Sequence, residues 1–209
     1  PVRNDMVDIL GKRAEALSFF GLENGKRVIL VVGGSQGALS INKAILDGLS
    51  SLRDSGVQLI WQCGTKFLPA ALEAINSVGY PNARAFDFIK RMDYAYAASD
   101  LVVSRAGAST VSELCVVGKP AIMVPLPTAA EDHQTHNCMS LVKKGAAILV
   151  KNSDASNLLV AETIKTVNDQ NLLQSLGDNM LKLAVTDAAH RIANEVYSIA
   201  LKHQEKSVN

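Results

Sequence analysis

Apolar runs and stretches of helical period alternate along the first 150 residues. The runs at 26–32, 57–61, 83–88, 100–103, 120–124 and 146–150 read as strands, nearly all apolar as expected of strands covered on both faces. The segments between them, 36–52, 66–78, 92–98, 110–117 and 131–144, read as helices. In the first helix Leu39, Ile41, Ile45, Leu46 and Leu49 form the apolar face. Gly118 and Gly145 fall where a helix ends in a left-handed residue. Three helical segments then follow without strands, at 155–167, 172–185 and 188–202. This alternation predicts an α/β fold, a doubly wound parallel sheet of about six strands with right-handed crossovers and a helical C-terminal tail.

At 209 residues the chain is long enough for one large α/β domain with a buried core. The net charge of +1, with basic residues scattered rather than striped, argues against nucleic acid as the main partner. Cys63, Cys115 and Cys138 lack metal or redox spacing and read as reduced, mostly buried thiols of a cytosolic protein. No apolar run approaches the ~20 residues of a membrane span. Pro1 stands where an initiator methionine would, so the expectation is a piece of a longer protein.

Two glycine-rich turns follow predicted strands. In Val31-Val32-Gly33-Gly34-Ser35-Gln36-Gly37-Ala38 the spacing fits neither a dinucleotide fingerprint nor a Walker A loop. It reads either as a plain βα turn capped by Ser35 or as a cradle whose amides face a diphosphate. Ser104 to Leu114 (SRAGASTVSEL) is the second turn. There Thr110 and Glu113 match a capping box, whereas a functional Glu113 would bridge the two hydroxyls of a ribose.

A loop held extended by Pro125 and Pro127 leads into Asp132, His133, Gln134 and Asn137, more hydrogen-bonding capacity than a helix start needs and suited to a sugar. His133 and His136 sit three apart, but no third metal ligand is placed. Phe86, Phe88 and Ile89 end the third strand, where ring and backbone could hold a flat base. The alternative is core packing of the two phenylalanines. Arg105 and Arg3 could meet phosphate charge or act elsewhere.

Together these stretches resemble the C-terminal half of the MurG family of peptidoglycan glycosyltransferases. The matching residues are Pro1-Val2-Arg3, Val31 to Ala38, Phe88-Ile89 followed by Met92, Ser104 to Leu114, Gly118-Lys119-Pro120-Ala121, and Asp132-His133-Gln134 with Asn137. The resemblance implies a Rossmann-like domain, one half of a GT-B enzyme with its active site in the cleft between halves. It divides the chain into an interdomain linker and lead-in helix (1–25), a UDP-sugar-binding domain (26–203) and a frayed tail (204–209). The N-terminal acceptor domain, and with it any assured catalytic residue, is expected outside the chain.

By the same resemblance Glu113 holds the ribose hydroxyls, and Ile89, beside Phe88, holds the uracil through its backbone. Arg3, Gly34 and Ser35 lie near the diphosphate, with Ala108 and Thr110 close by; Gln36 and Gly37 join them on the cradle reading, and Arg105 by its charge. Gln134, with His133 beside it, reads the sugar. Some relatives carry two glutamines where this chain has His133-Gln134, so Gln134 carries over more firmly.

The implied donor is UDP-N-acetylglucosamine (UDP-GlcNAc), and the reaction is inverting, without metal or other cofactor. The acceptor is undecaprenyl-pyrophosphoryl-N-acetylmuramyl-pentapeptide, reached at the cytoplasmic face of the inner membrane by a peripheral protein. The fragment would bind donor without turning over. Two rivals stay open. One is a eukaryotic-type single-domain subunit completed in trans by a membrane-anchored acceptor subunit. The other is a UDP-GlcNAc sensor or epimerase-like protein.

Overall fold

The structure is a computed structural model in which residues 2, 7–33 and 37–207 are described, side chains at 130 and 201–207 excepted. Six strands form one sheet: β1 Val28–Val32, β2 Gln58–Gln62, β3 Ala83–Phe86, β4 Leu101–Ser104, β5 Ala121–Met123 and β6 Ala147–Leu149. They pair in the order β3-β2-β1-β4-β5-β6, every pair parallel. In register, Val32 of β1 stands between Gln62 of β2 and Ser104 of β4.

Alternate side chains along each strand enter two separate cores, as a sheet covered on both faces requires. Ile29 and Val31 of β1 face one layer, made of α2 (Leu39–Asp47), α3 (Leu49–Asp54), α4 (Leu68–Val78) and α8 (Ala155–Asn168). Val28 and Leu30 face the other, made of α1 (Arg13–Phe20), α5 (Met92–Ala98), α6 (Ala108–Val117) and α7 (His133–Val142). Then α9 (Gln170–Leu181) contributes Leu173 to the first core and Met180 to the second. Last comes α10 (Ala188–Ser207), on which Ile192, Val196, Tyr197 and Ile199 are exposed. Cys63, Cys115 and Cys138 are free and buried, as their apolar neighbourhoods in the sequence suggested.

The doubly wound sheet of six strands and the helical tail agree with the sequence reading. The single helix expected over 36–52 is instead two, α2 and α3, broken at Gly48. A Cβ at Gly48 would fall 2.5 Å from Val160 Cγ2, so α2 and α8 approach more closely than a side chain permits. At the start of α9, Asp169 accepts from Leu172 N at 2.9 Å and caps the helix two residues before the expected boundary.

At the amino edge of the sheet Arg13 and Arg27 both pair with Asp100 (2.9 and 3.2 Å), whose other contact is Val28 N. This knot ties α1 to the start of β1. Beside it Lys119 Nζ donates to Ser99 O at 2.7 Å, and burial lowers its pKa from 10.5 to about 8. A lysine that releases its proton more readily when folded opposes folding fully below about pH 8, and the opposition fades as pH rises through 10.5. Relative to a Lys119→Met variant, the protein should therefore gain stability between about pH 8 and 10.5. Urea unfolding of both proteins across that window measures it; a flat difference would show that burial does not set the lysine's proton affinity.

Candidate functional site

All connections run through helices or long crossovers, so five loops collect at the carboxyl edge of the sheet. Between β1 and β4 the winding reverses, with α2 leaving toward one face and α6 toward the other. Such a point opens a crevice in which open α/β sheets bind ligands.

The first wall is the turn after β1. Gly33 and Gly37 bracket it, and neither has room for a side chain: a Cβ would lie 2.5 Å from Ala38 N at Gly33, and 2.4 Å from Cys63 O at Gly37. Gly37 also has a φ of +77°, which disfavours other residues. Behind it Asn42 is buried, donating to Cys63 O at 2.7 Å and accepting from the Trp61 indole at 3.1 Å. The turn is thereby locked to the end of β2. Gly34, Ser35 and Gln36, and likewise Arg3, lie outside the described residues.

The second wall is α6. It begins at Ala108 with Gly107 as N-cap and no side-chain cap, so the first-turn amides of Ala108, Ser109 and Thr110 point into the edge without a capping oxygen. This corrects the capping-box expectation. Thr110 sits inside the helix, and Glu113 lies in its second turn, too far along to reach an N-cap amide. Instead Glu113 Oε2 accepts the Tyr96 hydroxyl at 2.7 Å, across from α5. Burial, and next the carboxylate itself, raise the Tyr96 pKa well above its ordinary value, so it donates at any physiological pH. Glu113 is part-buried, and one of its oxygens is oriented by a neighbour that can only donate to it. Tyr96 was not picked out from the sequence; a hydroxyl-bearing aromatic in a short alanine-rich helix was its sole signal.

Arg105, at the turn after β4, has an unusual set of partners. Its guanidinium donates to Val124 O, Pro125 O, Asn152 Oδ1 and Ser40 Oγ at 2.8–3.1 Å. Every acceptor is neutral, and no carboxylate pairs with it among the described residues. Burial lowers its pKa. The residue ties its own loop to α2 and to the loops after β5 and β6, and among the described residues no anion offsets its charge.

Ile89 is buried in the loop between β3 and α5, and its N–H donates to Gln62 Oε1 at 2.8 Å. No hydrogen bond reaches its carbonyl among the described residues. Phe88 is 54% exposed, which excludes the core-packing reading for it, whereas Phe86 meets Phe20 edge-on at 5.6 Å. Gln62 itself is almost fully buried, directly after the apolar run Leu59–Trp61. That was the one sequence signal that could have marked it.

At the start of α7 the expected helix over 131–144 begins late. Glu131 and Asp132 both have positive φ (51° and 52°), and regular helix opens at His133. Gln134 Oε1 accepts from Leu126 N at 3.0 Å, fastening the proline loop, and Asn137 Nδ2 donates to Ala106 O at 3.1 Å. His133 is exposed in the first turn. Of the residues singled out in the sequence, the fold thus brings Gly37, Ile89, Arg105, Ala108, Thr110, Glu113, His133 and Gln134 to one edge of the sheet.

Residues 28–192 match the model of the glycosyltransferase family 28 C-terminal domain. The chain belongs to this family. The UDP-N-acetylglucosamine–N-acetylmuramyl-(pentapeptide) pyrophosphoryl-undecaprenol N-acetylglucosamine transferase of Parabacteroides distasonis is 47% identical to it over 199 residues, 95% of this chain and 54% of the relative. The protein of the same description from Porphyromonas gingivalis is 45% identical over 210 residues, covering 99% and 55%.

The crystal structure of Acinetobacter baumannii MurG superposes with a TM-score of 0.76 at 28% identity, over 92% of this chain and 55% of that one. Sucrose-phosphate synthase from Thermosynechococcus elongatus shares the fold (TM-score 0.67, 14% identity, 97% and 52% covered). The chain spans about half the length of the curated relatives it matches. Among the described residues of this family 28 domain, no helix is long and apolar enough to cross a membrane.

Two successive non-glycine residues in the left-handed region carry strain of ~1–2 kcal/mol each, and such strain concentrates where ligands are gripped. Replacing the exposed Glu131 with glycine should relieve part of it, raising stability by up to about 1 kcal/mol after the added freedom of the unfolded chain is subtracted. A shift of the urea midpoint upward is the expected reading, and a downward shift would show that the turn is not held in this conformation.

Proposed function

We propose that this chain is the donor half of a peptidoglycan N-acetylglucosaminyltransferase, holding UDP-GlcNAc at the carboxyl edge of its sheet. The observation that carries the proposal is the pairing, on one wall of the crevice, of uncapped α6 amides with a Glu113 carboxylate held by Tyr96. The amides and the helix dipole suit a diphosphate, and a carboxylate with two acceptor oxygens suits the vicinal hydroxyls of a ribose.

Ile89 then meets the uracil, with Phe88 at the rim. Ala108, Thr110 and Gly37, together with Gly34, Ser35, Gln36 and Arg3, surround the diphosphate. Arg105 contributes charge, with Nη1 and Nη2 already donating to the surrounding loops and α2. Gln134, with one end of its amide on Leu126 N, has its Nε2 group for a sugar hydroxyl, and His133 stands beside it.

In the reaction, an acceptor hydroxyl attacks the anomeric carbon, the bond to the diphosphate breaks, and UDP leaves with its new charge facing helix amides and arginine. Stabilisation of this kind counts most where the donors are fixed in advance, as these are. The acceptor is the undecaprenyl-pyrophosphoryl-linked muramyl pentapeptide named for the relatives, engaged by the half of the enzyme that lies beyond this chain. That enzyme works at the cytoplasmic membrane surface as a peripheral protein.

Two measurements test the proposal. Calorimetry should show UDP binding that Glu113→Ala weakens by about 1.5–3 kcal/mol, the loss of a charged hydrogen-bonding partner, together with a lower melting temperature because the buried Tyr96 hydroxyl loses its acceptor. Well-folded protein that ignores UDP, or a variant that loses stability but not affinity, would overturn it. In a radiolabelled assay the 209-residue chain should transfer no sugar to lipid acceptor, and product formation would refute the division of labour between halves.

A further inference from the structure

The hydrogen bond from Ile89 N–H to Gln62 Oε1 (2.8 Å) joins the loop after β3 to the last residue of β2. Both residues are 3% exposed. Gln62 is one of eight buried polar or charged residues among those described, and burial of an amide is unfavourable unless it is hydrogen-bonded. Its backbone is fully committed to the sheet, with Gln62 O accepting from Gly33 N at 3.2 Å. The side chain therefore springs from a fixed point and holds the Phe88–Ile89 peptide by its N–H before any ligand arrives. With the Ile89 side chain buried as well, both sides of this α-carbon are fixed, and its carbonyl, in the following peptide, is left as an acceptor at the carboxyl edge.

We infer that Gln62 is a specificity-determining positioning residue, which fixes Ile89 so that its carbonyl reads the imino N–H of a uracil base. The inference rests on the proposed nucleotide site and goes beyond it, because it names the residue that enforces the choice of base. Glu113 sets the position of the ribose and so the register of the base. In that register a fixed carbonyl meets an N–H in uracil but a lone pair in cytosine, where the same ring position is unprotonated. If residue 89 could shift or rotate, its carbonyl and the neighbouring N–H groups could pair with either pyrimidine. Rigidity, more than the mere presence of the carbonyl, supplies the discrimination.

The test compares UDP with CDP by calorimetry on the wild-type chain, Gln62→Met and Gln62→Glu. Wild type should prefer UDP by roughly tenfold to a hundredfold, the range set by one mismatched buried hydrogen-bonding group. Gln62→Met keeps the side chain's shape but loses the acceptor. It should bind UDP about tenfold more weakly and narrow the UDP-over-CDP ratio, since a freed amide no longer fixes the peptide. Gln62→Glu retains an acceptor oxygen for Ile89 N–H and should restore the ratio.

An equal loss for both nucleotides in Gln62→Met would indicate a merely structural role and overturn the inference. Failure of wild type to bind UDP would instead overturn the nucleotide site itself. Hydrogen exchange on wild type gives a second reading that needs no variant. The Ile89 amide should be protected before nucleotide is added, and free exchange in the ligand-free protein would also defeat the inference.

Discussion

Parallel pairing is the constraint from which the site follows. Each strand can re-enter the sheet in the same direction only after a crossover, and each crossover here begins at the carboxyl edge. Six strands buried on both faces therefore leave their chemistry nowhere else to gather. Because the sheet winds outward from β1 and β4 in opposite directions, the two loops with the smallest residues part and leave a crevice between them. Gly33 and Gly37 after β1 serve that opening, since side chains there would meet neighbouring backbone.

Charge at this edge is arranged by withholding partners as much as by supplying them. Elsewhere in the fold the ionic groups pair off: Asp100 takes two arginines, and Arg91 lies bidentate on Asp93 (2.8 and 2.9 Å) while stacking on Tyr94. At the carboxyl edge Arg105 has only neutral oxygens, the first turn of α6 has no capping side chain, and Glu113 has a hydroxyl in place of a cation. A half-buried positive centre held by neutral oxygens keeps its field at this edge, whereas a salt bridge would cancel it.

The polar residues that support the site are placed one layer behind those that face it. Asn42 locks the β1 turn to β2, Tyr96 orients Glu113, Gln62 holds Ile89, and Asn137 ties α7 to the α6 turn. Each is a side chain from one element gripping the backbone or carboxylate of another. Only the strained pair Glu131–Asp132 departs from this economy, and it stands where α7 must swing its first turn toward the edge.

Much of the fold was legible in the chain because its cause is local. Apolar runs of strand length, helical periods and closing glycines at 118 and 145 specify a doubly wound sheet without knowledge of any contact. The candidate site was legible in part for the same reason, since glycine-rich turns and polar helix starts advertise themselves. Glu113 was misread locally: its spacing from Thr110 satisfies a capping rule, but the helix had already begun at Ala108, and the carboxylate answers to Tyr96 seventeen residues upstream. Helix breakage at Gly48 is of the same kind, decided by how near α8 comes.

Sequence by itself determined which segments pair as strands, which residues are small enough to line a crevice, and which family the chain resembles. Tertiary structure alone decided which polar groups remain available there. Availability depends on partners distant in the chain, and hydrogen bonds form by proximity in space, on which residue spacing is silent.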